Sequence, residues 1–174
     1  TKTFAALKDF VSSHPVYSVR AICSSYLPDW RPGVDYRKLY SASKEGGGVA
    51  LDLIHEFDYL ISLFGIPLRS LLLSKKVSHL EIESSDVVSF VGEYQDKTIE
   101  IHLDYFGRGP QRCCEVFSRE ETRVFDFLKS KEGLEDGYLR EIHCFLDLAL
   151  DGRTNVNSLL FANSVVRFVR NETT

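Results

Sequence analysis

The chain has 174 residues, 44% hydrophobic and 26% charged, ordinary proportions for a single globular domain able to bury roughly 70% of its unfolded surface. Its net charge is −4, and 21 Lys and Arg are scattered among 25 Asp and Glu, so the basic stripe that phosphate neutralisation demands is absent and no nucleic-acid partner is expected. No apolar run approaches the roughly 18 residues of a membrane span and no signal-peptide pattern opens the chain, which predicts a cytoplasmic protein without a membrane partner.

Residues 3–13 read as a short helix, with Phe4, Leu7 and Val11 on one side. His14-Pro15 ends it, because proline disfavours helix in the residue before it. Residues 16–26, rich in Val, Tyr, Ile and Cys, read as a strand. The irregular stretch 27–45 follows, holding Pro28, Trp30, Pro32, Gly33, Tyr36 and Tyr40. Loops this long inside compact domains are usually functional or disordered, and the aromatic residues argue against disorder.

Residues 48–64 carry the strongest helix signal, closed by Gly65 and Pro67. Strands are then predicted over 68–78, 86–95, 98–106, 111–118 and 122–127. Two helices finish the chain, over about 137–150 and 156–169, separated by Asp151-Gly152. Consecutive strands with helices gathered at the chain ends predict an α+β fold. The expected architecture is an open, mainly antiparallel sheet of about six strands with helices on one face. The other face is then solvated or covered by a second copy, so a homo-oligomer through the open sheet face is expected.

The four cysteines, Cys23, Cys113, Cys114 and Cys144, form no CxxC pair, so neither a zinc site nor any other metal site is expected. The basic pair Lys129 and Lys131, flanked by Glu132, Glu135 and Asp136, reads as a solvated loop. Without a methionine at position 1 or anywhere else, the chain reads as one excised domain spanning 1–174.

The chemistry is concentrated on the helix beginning near Gly48. At about 100° per residue, Asp52, His55, Glu56 and Tyr59 fall on one stripe, and Val49, Ala50, Leu53, Ile54, Phe57, Leu60 and Ile61 oppose it. Asp52 and His55 are i,i+3 neighbours, and a carboxylate beside an imidazole orients the ring and suits it to proton transfer near neutral pH. Spacing alone leaves two readings open: an acid/base pair, or a stripe that merely solvates the helix. A metalloprotease HExxH is excluded, since Tyr59 stands where the second histidine belongs. Gly46-Gly47-Gly48 leads into the helix. Its missing Cβ atoms would allow a ligand or a neighbouring backbone to come close.

GGGVALDLIHEFDYLISLFG (46–65) resembles the C-terminal domain of the glucose–fructose oxidoreductase/inositol dehydrogenase (Gfo/Idh/MocA) family, with its glycine cluster, aspartate, histidine and second aspartate at Asp52, His55 and Asp58. The resemblance extends through SSYLPDWRPGVDYRKLYSASKE (24–45), which is similar to members of bacterial surface-sugar biosynthesis, and through Arg112 and YLREIHCFLDLALDG (138–152). It implies an NAD(P)-dependent dehydrogenase acting on a hydroxyl of a sugar or sugar derivative. An N-terminal nucleotide-binding domain, absent from these residues, would bind most of the NAD or NADP and supply a catalytic lysine. This chain alone is therefore expected to be inactive.

The resemblance assigns His55 as proton acceptor and Asp52 as its orienting partner or a substrate ligand, although many members space the pair four apart rather than three. Gly46 and Gly47 are expected to approach the cofactor. From the 27–45 stretch, Trp30, Tyr36 and Tyr40 are candidates to stack on a sugar ring, and Arg37 and Lys44 to hold a carboxylate or phosphate, with packing of the loop as the alternative for each. The alternative for the whole chain is a non-catalytic ligand-sensing or oligomerisation domain on the same fold.

Overall fold

A computed structural model describes residues 1–129, 134–151 and 159–170. Helix α1 (Lys2–Ser13) is capped by the Thr1 side chain, which accepts from the Phe4 N–H, and leads into strand β1 (Val16–Tyr26). Helices α2 (Val49–Asp52) and α3 (His55–Phe64) follow the long connection. Then come β2 (Arg69–Lys75), β3 (Val87–Glu93), β4 (Thr98–Asp104), β5 (Phe106–Ser118) and β6 (Thr122–Asp126). Helices α4 (Leu134–Asp151) and α5 (Leu159–Val169) complete the described residues. Lys131, Glu132 and Gly152 lie outside them.

The six strands form one sheet in the order β2-β3-β4-β1-β5-β6. All neighbours are antiparallel except β1 and β4, whose parallel pairing aligns Ala21 with Ile101 and Cys23 with Leu103. Period-two alternation sorts the side chains. Val19, Ala21 and Cys23 of β1, Val88 and Phe90 of β3, Ile99, Ile101 and Leu103 of β4, and Cys114 and Val116 of β5 are buried. This is the expected α+β architecture, with helices on one face of the sheet. Phe57 of α3 meets Phe90 edge-on at 5.2 Å, and Phe168 of α5 closes on both rings. Such contacts add about 0.5–1.5 kcal/mol each beyond buried area.

The opposite face carries Arg20, which pairs with Glu100 at 3.0 Å and Glu115 at 3.9 Å across three neighbouring strands. Leu71, Val91 and Val124 stand exposed on the same cross-strand row.

One expected element is corrected. The helix predicted over 48–64 is two helices joined by a turn at Leu53, whose ψ of 23° leaves the helical range. The turn resets the rotation of everything after it. Glu56 and Tyr59, expected on the outward polar stripe beside His55, are instead buried against the sheet. The stretch 27–45 is ordered by short 3-10 turns and by bonds to a neighbouring loop. Glu83 N–H donates to the Ala42 carbonyl at 2.9 Å, and the Ser84 hydroxyl to the Ser41 carbonyl at 2.6 Å.

Candidate active site

His55 opens α3 on the wall of a pocket of about 590 Å³, which it shares with Phe4 and Lys8 of α1, Asp58 and Tyr59 of α3, Arg112 of β5 and Phe127. The side chain is 41% exposed, so its ring is open to a ligand while anchored on one side. That anchor is the next residue. Glu56 Oε1 lies 3.2 Å from His55 Nε2 and accepts from Arg112 Nε at 2.7 Å. Glu56 has no exposed surface.

Burial pushes the Glu56 carboxyl up, but the facing imidazole and guanidinium overcome it and hold the group below its ordinary range. His55 Nε2 and Glu56 Oε2 lack a hydrogen-bond partner among the described residues, so the imidazole and carboxylate touch without a well-aligned bond. Asp58, one turn on, is pushed up by burial against the pull of His55.

Asp52 belongs to a different group of side chains. Its Oδ2 accepts from the Tyr105 hydroxyl at 2.6 Å, and its carboxylate is the first cause that pushes the Tyr40 phenol above its ordinary range. Burial first, then the bond to Asp52, drives the Tyr105 phenol far above its ordinary range. The expected Asp52–His55 pairing is therefore corrected. The turn at Leu53 separates the two, and the carboxylate against the imidazole is that of Glu56.

The residues of the 27–45 stretch divide. Trp30 meets Tyr105 edge-on at 5.4 Å, and its indole N–H donates to the Ser25 hydroxyl at 2.9 Å. Tyr40 is 60% exposed beside Asp52. The structure thus brings Trp30, Tyr40 and Asp52 together around Tyr105. Tyr36 lies elsewhere, its hydroxyl accepting from the Glu81 N–H at 3.2 Å. Arg37 is a correction: its guanidinium is committed to Asp35 at 2.8 Å and Glu81 at 2.7 Å, which leaves no free fork for a substrate anion. Lys44 is exposed, with no partner among the described residues.

The glycine lead-in also differs from expectation. A Cβ on Gly47 would run into the Tyr40 and Ser43 carbonyl oxygens, so the close approach is made by the chain's own backbone. The Gly48 N–H donates to the Ser41 carbonyl and the Val49 N–H to the Ser85 carbonyl, so the α2 N-terminus is already satisfied. Gly46, exposed with φ of 77°, has open space where a Cβ would sit.

Cys23 Sγ, a His55 ring nitrogen and a Glu56 oxygen lie within 4.8 Å of one another. Metal binding there would compete with Arg112 for Glu56 and would deprotonate a thiol that burial pushes up to about 12. Sequence reasoning gave Arg112 no role in the site and missed Tyr105 and the burial of Glu56, since all three come from contacts between distant strands and helices. The available signal was that Glu56 sits three and four residues before Tyr59 and Leu60, a face that is apolar once the helix begins at His55.

No protein-family model and no curated protein sequence matches the chain. Solved structures do. GenD2 from gentamicin A biosynthesis, in complex with NAD, superposes with a TM-score of 0.77 at 19% identity, over 97% of this chain and 56% of that one. Myo-inositol 2-dehydrogenase from Lactobacillus plantarum matches at 0.76 and 12% identity, over 98% and 58%. UDP-N-acetylglucosamine 3-dehydrogenase from Acidithiobacillus ferrooxidans matches at 0.74 and 16%, over 97% and 56%. The chain spans little more than half the length of these proteins. Its fold is that of the C-terminal domain of Gfo/Idh/MocA-type dehydrogenases.

Proposed function

We propose that this chain is the substrate-binding and catalytic half of an NAD(P)-dependent dehydrogenase that oxidises a hydroxyl of a sugar or sugar derivative. The observation that carries the reading is His55: a half-exposed imidazole on a pocket wall, backed by a carboxylate with no exposed surface. A ring held from behind and open in front suits a proton acceptor for a substrate hydroxyl, a role worth roughly 10²–10⁴ in rate. Glu56 orients the ring and stabilises the imidazolium as it forms, and Arg112 holds Glu56. Asp52, with one oxygen bonded to Tyr105, turns toward sugar hydroxyls in this reading, with Trp30 and Tyr40 beside it.

In the intact protein, NAD(P) bound mainly by a nucleotide-binding domain would accept the hydride. Gly46 is the point of this chain offered to it. Exposed Tyr138, Ile142 and Phe145 on α4 supply apolar surface for a neighbouring domain. Two copies would meet through the open sheet face, where Leu71, Val91 and Val124 are uncovered. No described helix is long and apolar enough to cross a membrane, and a cytoplasmic place in bacterial surface-sugar biosynthesis agrees with the resemblance of residues 24–45.

The test is H55A in the protein that carries the nucleotide-binding domain. Turnover should fall at least about a hundredfold with the fold intact. Unchanged turnover would refute the proton-transfer role.

A further inference from the structure

Arg112 is held at one edge and open at the other. Its Nε donates to Glu56 Oε1 at 2.7 Å, and Glu56 is fixed by complete burial. The guanidinium carbon lies over the Phe127 ring, 5.2 Å from its centre. The two Nη amino groups have no acceptor among the described residues. A guanidinium pinned through Nε presents its remaining donors as a planar fork, the geometry that matches a carboxylate or phosphate edge. Arg112 and His55 line the same pocket, and Lys8 adds a second cation there. Asp58 is the opposing charge, and its carboxyl is pushed toward the neutral form by burial.

We propose that Arg112 is a substrate-binding residue whose Nη fork receives an oxyanion carried by the sugar, so that the substrate class is an acidic sugar, bearing a carboxylate or phosphate. The anion role expected of Arg37 thereby falls to a residue with donors to spare. The inference rests on the dehydrogenase reading for the word substrate, and on Arg112 alone for the binding.

The test compares glucose, glucuronate and glucose 1-phosphate, each added to the chain at tens of millimolar while the His55 ring and Arg112 Nε–H resonances are followed by NMR. Glucuronate or glucose 1-phosphate should shift both resonances and bind about tenfold or more tighter than glucose. The stronger of the two identifies the oxyanion as carboxylate or phosphate. R112K, which retains charge but loses the fork, should remove the preference, and the exposed-site variant K8Q should weaken it while leaving the fold untouched.

Equal response to all three sugars, or no response to either acid, overturns the proposal. So does a folded R112K that keeps the preference. Should R112K fail to fold, the wild-type comparison and K8Q decide. Failure here is separable from failure of the dehydrogenase reading. A protein that loses turnover on H55A yet treats acidic and neutral sugars alike sinks only this inference. One that keeps turnover on H55A while binding acids at Arg112 sinks only the other.

Discussion

Arg112 of β5 and Glu56 of α3 form an ion pair in which the carboxylate is fully buried and the guanidinium one-third exposed, with Nε and Oε1 2.7 Å apart. Such pairs contribute little net stability over an apolar replacement, because desolvation offsets the attraction, yet breaking one partner leaves a charge stranded. R112A should therefore lose about 3–5 kcal/mol, read as a lower urea midpoint. Replacing both residues, E56M with R112L, should recover most of that loss. A double variant as unstable as R112A would show the pair to be more than a buried charge and its counterion.

The same pair sets an acid limit. The Glu56 carboxyl is raised by burial but lowered further by His55 and Arg112, leaving it below its ordinary value of 4.5. A folded-state value below the unfolded one means the contribution is complete above about 4.5 and drains away as pH falls through the lowered value. The stability difference between wild type and E56Q should be flat from neutral pH to that point and shrink below it. Unfolding curves at a series of pH values check this, and a gap that widens in acid contradicts it.

Tyr105 is the donor that fixes Asp52, at 2.6 Å from a fully buried position. Y105F should cost about 1.5–3 kcal/mol, the range for hydrogen bonds to charged groups. Under the proposed dehydrogenase role, Y105F in the intact protein should raise KM for the sugar more than it lowers kcat, since the His55–Glu56 contact is left in place. Because burial and Asp52 drive this phenol upward, it should be among the last of the 8 tyrosines to ionise in an alkaline absorbance titration. A Y105F titration curve that lacks an early-ionising tyrosine would contradict that placement.

The four thiols should separate by reactivity. Cys23 and Cys114 are buried and pushed up to about 12, mainly by desolvation, whereas Cys144 is exposed. Thiolate is the reacting form, so a thiol reagent at neutral pH should label Cys144 first and Cys113 more slowly. Cys23 and Cys114 should react only on unfolding. Rapid labelling of all four would contradict the burial of β1 and β5.

Much of the fold was legible in the chain. Strand β1 was expected over 16–26 and spans Val16–Tyr26, because β-branched and aromatic residues alternate there without a glycine or proline to break the period. The helix after Gly48 was legible only in outline. A run of strong helix formers carries no mark of the turn at Leu53, which arises where α2 must pack on β3 and β4 while α3 packs on α5. That single turn moved Glu56 from the outward stripe to the interior and separated Asp52 from His55. Of the residues named for the site, Trp30, Tyr40 and Asp52 gather around Tyr105, whereas His55 stands on the wall of a separate pocket. Arg37 was not distinguishable from a free cation, since one of its two acidic partners, Glu81, lies 44 positions away.

The order of residues by itself determined the α+β layering, the span of β1 and the presence of an imidazole within a largely apolar helical run, because periodicity is a local property of the chain. Which carboxylate meets that imidazole, which arginine keeps open donors and which phenol holds Asp52 were decided by tertiary structure alone. Those contacts depend on distances between elements far apart in sequence, and a burial cost of several kcal/mol for an unpaired charge selects partners that only the folded packing brings within reach.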